Sequence, residues 1–268
     1  MSDTLVCRPT RWFYQRAFGM LAMFTFLGGW FYKDATTGYR KENLAFVMYR
    51  TFSIAAQQLQ EKQKAGVVTA TQWRDYAADQ SVLTGDDPSL LPVNTPQPMP
   101  WPEELGELDL LAKGHIAAWE AFTGRMKWNR KAPEKIHEAD SIREQWYVAY
   151  GLSALALYTL FILVRTSRRK ICIEGDAILT QDGRRVALAD LTRLDLRKWG
   201  TKGMAYAFYP ERSGKEGRIR IDGLTYGGFQ KEQGEPAEQL MQIIRQHFTG
   251  ELVEYASEEA GESEKTAG

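Results

Sequence analysis

Basic side chains in the C-terminal third carry the clearest chemical signal in the sequence. Arg218 and Arg220 alternate, and alternating residues of a β-strand lie on one face. Each Lys or Arg near a membrane attracts anionic headgroups by about 1 kcal/mol, whereas a solvated domain surface is the simpler alternative. The residues predicted to bind membrane or a partner are Arg184, Arg185, Arg197, Lys198, Lys202, Arg218 and Arg220.

The motifs of known catalytic chemistry are absent from the sequence, including phosphate-binding loops, dinucleotide fingerprints, zinc-protease motifs and nucleophile elbows. The three histidines are His115, His137 and His247. A metal site at His115, His137 and nearby carboxylates is one alternative, but ordinary core or surface histidines fit the pattern better. We therefore predict a non-enzymatic protein without catalytic residues, metal or cofactor, and we predict no nucleic-acid partner.

The longest apolar run in the sequence is Trp146 to Val164, which holds 19 residues and no charge. As a helix it would span roughly 28 Å, close to the hydrocarbon core of a bilayer at about 30 Å. Basic residues follow it at Arg165, Arg168, Arg169 and Lys170. The run predicts a transmembrane helix over residues 146–164, with a buried core helix as the alternative.

A second apolar run covers Ala17 to Tyr32 and holds 16 uncharged residues. As a helix it would span about 24 Å, and the preceding aromatic residues would extend it. No small-residue cleavage site follows the run, so it predicts a retained membrane anchor rather than a removed signal peptide. Thr25 with Gly29, and Ala149 with Ser153, are small residues four apart that would let the two spans pack together.

Two spans would place both termini on one side of the membrane. Arginines at positions 8, 11 and 16 precede the first span, and four basic residues follow the second. The positive-inside rule therefore predicts that residues 1–16 and the C-terminal third are cytoplasmic, in a bacterial inner membrane. Cys7 and Cys172 would then lie in a reducing compartment, where a disulfide is not expected.

Residues 33–145 are predicted to form an extracytoplasmic helical domain. Apolar residues spaced by three or four predict a helix over 41–64, and Thr69 with Gln72 matches a capping box. Six prolines in residues 88–102 predict an extended loop of polyproline character. A helix from Pro102 to about Met126 would follow, and a last helix from about 134 would run on to 167. The tryptophans of this domain predict a helical core, with a binding cleft around Trp101 as the alternative.

The pattern after Lys170 changes to short strands. The segments predicted to be strands are 171–174, 177–181, 184–188, a strand ending near Trp199, 204–209 and 218–222, with a further strand over 224–226 as an alternative to a loop. Pro236 is predicted to open an amphipathic helix with Leu240, Ile243, Ile244 and Phe248 on its apolar face.

Charge is segregated along the chain although the net charge is zero. Residues 165–250 carry 16 Lys and Arg against 11 Asp and Glu, and residues 251–268 carry one Lys against six Glu. The acidic segment 251–268 is predicted to be a disordered tail. Competition of this tethered tail with anionic lipid for the basic residues, and a solubilising tail with no fixed contact, are the two alternatives.

Short antiparallel strands with one closing helix, following a membrane span, resemble bacterial pleckstrin-homology-like (PH-like) domains. The residues that carry the resemblance are Asp182-Gly183-Arg184, the step Ala189-Asp190-Leu191 into the next strand, and the helix from Glu235 to Phe248. The resemblance covers about residues 171–249. It implies a small, partly open β-barrel in residues 165–250 that binds partners or membrane and performs no chemistry.

These observations together predict an α+β membrane protein. Its parts would be two transmembrane helices, an extracytoplasmic α-helical domain, and a cytoplasmic PH-like β-barrel with a C-terminal helix. The leading functional hypothesis is a non-enzymatic adaptor or signalling scaffold, whose partners are the lipid bilayer, an unknown protein and anionic lipid. The alternatives are an accessory subunit of a membrane transport or envelope complex and, with less support, an outer-face hydrolase.

Overall fold

Helices and sheets form two units in the computed structural model, which describes residues 4–211 and 214–255. The sheet unit combines Met1–Phe24 with Leu155–Gly268, and the helical unit is Thr25–Ala154. The mixture of helix and sheet agrees with the α+β fold class. The N-terminal residues belong to the same unit as the C-terminal third, although no sequence pattern predicted that they contribute to its fold.

Six α-helices lie between residues 11 and 167 of the described chain. They are α1 (Arg11–Lys33), α2 (Tyr39–Ala65), α3 (Ala70–Ala78), α4 (Leu108–Ala112), α5 (His115–Met126) and α6 (Ala139–Ser167). A π-helical turn, Asp34–Gly38, joins α1 to α2 without leaving helical geometry. The predicted helix over 41–64 is confirmed as α2. The predicted capping box is also confirmed, because Thr69 Oγ accepts the Gln72 N–H and Gln72 Oε1 accepts the Thr69 N–H.

The core of the helical unit is aromatic. Phe52, Trp73 and Trp119 are among its fully buried side chains. The indole N–H of Trp73 donates to the carbonyl of Leu105 at 2.7 Å, so the buried ring also satisfies its polar atom. A core built on such large side chains confirms the predicted role of these tryptophans.

The predicted single helix from Pro102 to Met126 is wrong. A 3-10 turn over Glu103–Gly106 and the short α4 precede α5, and Gly114 separates α4 from α5 with φ at 106°. That backbone angle is open to glycine and strained for other residues. The chain therefore changes direction at Gly114 instead of continuing the apolar stripe.

The start of α6 lies later than predicted, at Ala139 rather than about 134. The cause is Asn43, which is fully buried on α2. Its side chain accepts the N–H of His137 at 2.6 Å and donates to the carbonyls of His137 at 2.8 Å and Leu90 at 3.0 Å. The N–H and the carbonyl of His137 are thereby both hydrogen-bonded to the Asn43 side chain instead of to backbone groups of a helix. The continuation of α6 from its start to residue 167 without interruption is as predicted.

Among the described residues, α6 is the one helix whose length and hydropathy are sufficient to cross a membrane. Only 11% of its most apolar segment is buried in the protein, which argues against a core helix. The other predicted span, α1, does not reach that hydropathy, because Trp, Tyr, Gly and terminal charges dilute its apolar residues. The prediction of two transmembrane helices is therefore not supported by hydropathy.

Contact between α1 and α6 within the helical unit uses a different glycine from the one predicted. A Cβ on Gly28 would lie 3.5 Å from Leu152 Cβ, whereas a Cβ on Gly29 would meet nothing within 4 Å. One turn further along, the rings of Tyr32 and Trp146 pack edge to face with centroids 5.4 Å apart. Gly28 and Tyr32 therefore face α6, and Gly29 does not.

The sheet unit contains eight described strands and two helices. The strands are β1 (Leu5–Cys7), β2 (Ile171–Glu174), β3 (Ala177–Leu179), β4 (Arg185–Ala187), β5 (Arg193–Asp195), β6 (Met204–Pro210), β7 (Glu216–Asp222) and β8 (Glu251–Val253); the helices are α7 (Trp199–Lys202) and α8 (Pro236–His247). The predicted strands at β2 to β7 and the predicted helix at α8 are confirmed. Leu224 to Tyr226 is not a strand, since Tyr226 makes only an isolated bridge to Pro9.

These strands form two four-stranded sheets rather than one closed barrel. Their orders are β1-β2-β3-β4 and β7-β6-β5-β8. Neighbouring strands are antiparallel except β5 and β8, which are parallel. The strands predicted to form a partly open β-barrel over residues 165–250 thus form two separate sheets, and no closed barrel is present in the part of the chain that the structure describes. The predicted disordered tail is wrong at its start, because Glu251–Val253 is β8; residues 256–268 lie outside the described residues.

Strand β1 was not predicted, and it completes the first sheet. Leu5, Val6 and Cys7 pair with Ile173, Cys172 and Ile171. Cys7 is fully buried in a core that includes Ile178, Leu194 and Leu240. Gly227, at φ 93°, admits this packing, because a Cβ there would lie 3.0 Å from Cys7 Sγ.

The loop between β7 and α8 holds the start of α1 and the end of α6. Thr10 donates its N–H to the carbonyl of Thr225 at 2.9 Å, and its hydroxyl accepts the N–H of Phe13 at the first turn of α1. Tyr226 is 4% exposed and lies beside Thr166 of α6. Burial raises the pKa of Tyr226, and the polar side chain of Thr166 opposes the rise. Both helices are thus attached to one short loop.

Both cysteines are free and buried. Because Cys7 pairs with Ile171, Cys7 and Cys172 point to opposite faces of the sheet. Burial and the proximity of Cys172 raise the pKa of Cys7 to about 11, and burial also raises the pKa of Cys172. The thiolate populations at neutral pH are therefore small, and both thiols should react slowly in the folded protein.

The buried position of Cys7 generates a testable prediction. Cys7→Asp would place an unpaired carboxylate in the core and should lower the free energy of unfolding of the sheet unit by roughly 3 kcal/mol or more. Val6→Asp is the matched control, because Val6 lies on the opposite face of the same strand and is 37% exposed. Thermal unfolding of the full chain in mild detergent measures both. Equal destabilisation by the two variants would contradict the packing of β1 described above.

Candidate functional site

A polar cleft lies between the β3–β4 connection and the edge strand β7. Its volume is about 300 Å³. Its lining residues are Thr180, Asp182, Arg184, Tyr206, Arg218, Ile219 and Arg220. Three of the seven basic residues predicted to bind membrane or a partner therefore meet in one place.

Alternation along β7 places two of these arginines. Gly217, Ile219 and Ile221 are buried, whereas Arg218 and Arg220 between them are exposed. The predicted shared face of Arg218 and Arg220 is confirmed. In the antiparallel pairing with β6, Arg220 lies opposite Tyr206, which brings the tyrosine ring to the cleft.

The β3–β4 connection brings the third arginine, Arg184. The N–H of Gly183 donates to the carbonyl of Thr180 at 2.8 Å, and the N–H of Arg184 donates to the hydroxyl oxygen of Thr180 at 3.3 Å. This is the turn that Asp182-Gly183 predicted. Thr180 is 3% exposed, so its hydroxyl is a buried polar group at the base of the cleft.

Side chains from this turn occupy the free edge of β7. Gln181 Nε2 donates to the carbonyl of Arg220 at 2.9 Å, and Arg184 Nη1 approaches the carbonyl of Arg218 at 3.4 Å. An edge strand otherwise exposes unpaired carbonyls to other chains. The two sheets are thus bridged here by side chains, where a closed barrel would have backbone pairing.

Carboxylates neutralise only part of the positive charge in the cleft. Arg220 pairs with Asp222 at 2.6 Å, and Asp182 pairs with Arg169 at 2.6 Å and with Arg165 at 4.0 Å. Within residues 4–211 and 214–255, Arg184 and Arg218 have no carboxylate within 4 Å. The guanidinium of Arg218 instead lies 5.0 Å from the centroid of the Tyr206 ring. Two guanidinium charges therefore remain uncompensated by carboxylates.

The other four basic residues predicted to form the site lie apart from this cleft. Arg185 is exposed on β4. Arg197 binds Asp195 at 2.7 Å and thereby lowers the pKa of that carboxyl. Lys198 directly precedes α7 and Lys202 is its last residue. Lys202 lines a second cleft of about 340 Å³ with Trp199, Phe229 and Glu238. The predicted basic set is thus divided between different surfaces.

The histidines His115 and His137 make separate contacts in the helical unit. His137 Nε2 lies 2.8 Å from Glu42 Oε2, and His115 Nε2 lies 3.4 Å from the hydroxyl of Tyr49. In the part of the chain that the structure describes, no three His, Cys, Asp or Glu side chains converge as a metal site would require.

Trp101, around which a binding cleft was the alternative prediction, packs against the core of the helical unit. Its indole N–H donates to the carbonyl of Ser81 at 3.2 Å, and its ring lies near those of Tyr76 and Trp73. Trp101 therefore closes the aromatic core at its edge.

Comparison with known protein families, with characterised proteins and with solved structures finds no match for this chain.

Asp222 generates the testable prediction of the site, because one oxygen binds Arg220 and the other accepts the N–H of Thr225. Asp222→Ala removes both interactions and should lower the free energy of unfolding by about 1–3 kcal/mol. Asp222→Asn keeps an acceptor for Thr225 and loses only a half-exposed ion pair, so its cost should be about 0.2–1 kcal/mol. Thermal unfolding of the full chain distinguishes the two. A loss for Asn as large as that for Ala would show that the ion pair, rather than the loop hydrogen bond, dominates.

Proposed function

We propose that this protein is a non-enzymatic two-span membrane adaptor. Residues 33–145, within the helical unit, are extracytoplasmic, and the part of the sheet unit that follows α6 is a cytoplasmic interaction domain with a PH-like role. The arginine-lined cleft of the sheet unit, defined by Arg184, Arg218 and Arg220, is its binding site for an anionic lipid or partner.

The pairing of β1 with β2 is the observation that carries this proposal. Strand β1 directly precedes α1, and β2 directly follows α6. The first residue of α1 and the last residue of α6 are therefore held by the same sheet. A chain that crosses a membrane through both helices would leave its ends on one side, as this pairing requires.

The surface of α1 supports its assignment as the first span, although its hydropathy is lower than that of α6. Phe18, Phe26 and Trp30 have more than half of their surface exposed in the protein. Aromatic side chains of this kind are common where helices meet lipid and its interface. Arg11, Arg16 and Lys33 lie near the two ends of α1, where long basic side chains can reach the headgroups.

Arginines flanking the two helices support a cytoplasmic sheet unit. Arg8, Arg11 and Arg16 lie at the N-terminal side of α1, and four basic residues follow the apolar part of α6. The positive-inside rule favours this side as cytoplasmic. Lys33, at the opposite end of α1, weakly favours the reverse orientation.

Cysteine labelling tests this arrangement. Val93→Cys, at a position 94% exposed, should react with a membrane-impermeant maleimide in intact cells, whereas Lys215→Cys should react only after permeabilisation. The unmodified chain is the control, because its buried thiols have raised pKa values and should stay unlabelled. Labelling of Lys215→Cys in intact cells would contradict the proposed orientation.

An accessory subunit of a membrane transport or envelope complex is the second candidate. The apolar surface of α6 favours it, since Tyr150, Leu157 and Tyr158 are each more than 60% exposed and could contact another membrane protein. Purification in mild detergent distinguishes the two functions. An adaptor should copurify with partners in substoichiometric amounts, whereas a subunit should retain one multispan partner at fixed stoichiometry.

A further inference from the structure

We infer that the arginine-lined cleft binds the phosphate of an anionic phospholipid headgroup, with Arg184 and Arg218 as the phosphate-binding side chains. This inference deepens the proposed function and rests on it for the placement of the cleft beside a membrane. It assigns lipid binding to one site with two named arginines, whereas the sequence predicted only a general attraction between basic residues and anionic lipid.

The charge in and beside the cleft favours an anion. Five guanidinium groups lie here, from Arg165, Arg169, Arg184, Arg218 and Arg220, against the two carboxylates of Asp182 and Asp222. The three ion pairs that those carboxylates make involve Arg165, Arg169 and Arg220. Arg184 and Arg218 are left with free N–H groups, and the planar guanidinium matches the oxygens of a phosphate in pairs.

Neutral donors line the same cleft. Thr180 accepts the N–H of Arg184, and its own hydroxyl proton has no acceptor among residues 4–211 and 214–255. Because Thr180 is 3% exposed and lines the cleft, a ligand in the cleft can offer that proton an acceptor. The hydroxyl of Tyr206 also makes no hydrogen bond within the described chain. A phosphate oxygen would therefore meet hydroxyl donors as well as guanidinium groups.

The end of α6 places this cleft close to the predicted headgroup region. The uncharged run of α6 ends at Val164, and Arg165 and Arg169 follow it. Both arginines contact Asp182, which lines the cleft. If α6 spans the bilayer as proposed, the cleft lies within a few residues of the interface. A lipid headgroup is therefore present there at high local concentration, whereas a soluble phosphate must compete with it.

The size and lining of the cleft select the headgroup over the acyl chain. A volume of about 300 Å³ is at the lower end of small-molecule sites. Ile219 is its only aliphatic lining residue, and it is 3% exposed. The lining is mainly polar and, apart from the ring of Tyr206, offers an apolar chain little surface, so that the acyl chains of a bound lipid would stay in the membrane.

Lipid titration of the full chain in a mild neutral detergent tests the inference. Native mass spectrometry would measure the affinity for short-chain phosphatidylglycerol, with short-chain phosphatidylcholine for comparison. The double variant Arg184→Gln/Arg218→Gln should lose about tenfold in affinity for each guanidinium removed. Arg185→Gln/Lys198→Gln is the matched control, because it removes two positive charges at exposed positions outside the cleft and should change affinity less than threefold.

A charge-conserving variant distinguishes a specific loss of binding from misfolding of the double variant. Arg184→Lys/Arg218→Lys keeps both charges but lacks the two-pronged donor geometry, so it should bind phosphatidylglycerol with intermediate affinity. Unchanged binding by the glutamine variant, or an equal loss in the matched control, would overturn the inference. Equally effective competition by inorganic phosphate would reassign the cleft to a soluble anion. Tighter binding of a peptide of residues 251–268 would reassign it to an acidic protein segment.

This test and the labelling test can fail separately. The detergent measurement does not depend on which side of the membrane the sheet unit occupies. Loss of specific lipid binding with normal labelling of Val93→Cys would contradict the lipid site in the cleft and leave the proposed orientation intact. Reversed labelling with specific lipid binding retained would overturn the proposed orientation alone.

Discussion

Antiparallel pairing between β1 and β2 joins residues about 165 positions apart, and the arrangement of the sheet unit depends on it. Closing an unstructured loop of that length would cost roughly 4–5 kcal/mol, more than three paired residues provide. Two further sets of contacts support the pairing. Cys7 is buried in the sheet core, and Thr10 and Thr166 bind the loop that follows β7. The first sheet, the start of α1 and the end of α6 are therefore stabilised together.

The arginine-lined cleft illustrates how an open edge between two sheets can acquire a binding function. A closed barrel would use the carbonyls of Arg218 and Arg220 for backbone pairing, and here side chains from the β3–β4 connection contact them. Gln181 and Arg184 thereby limit pairing with other chains. The same arrangement holds like charges close together, and an anion bound at the proposed site would relieve their repulsion. Protection of the edge and the proposed affinity for an anion would thus come from the same few residues.

Local patterns in the sequence predicted much of this fold and part of the site. The spacing in α2, the capping box at Thr69 and the alternation of Arg218 and Arg220 are each properties of one element, so they were readable. Strand β1 is Leu-Val-Cys, in which apolar and polar residues do not alternate, and β8 lies at the start of an acidic segment, so neither carried a periodic signal. The approach of Arg184 to Arg218 depends on the distance between two sheets, which no local pattern encodes. The late start of α6 likewise depends on Asn43, almost a hundred residues earlier.

The position of β1 also has a consequence during synthesis. Leu5–Cys7 leaves the ribosome long before Ile171–Glu174, and at typical elongation rates the delay is roughly 10–30 s. Throughout that interval, β1 has no partner strand, and both apolar helices are made before its partner appears. The first sheet therefore contains a strand that is translated about 165 residues before the strand with which it pairs. A nascent chain released before residue 174 would carry an unpaired apolar strand at its N-terminus, exposed to chaperones and proteases.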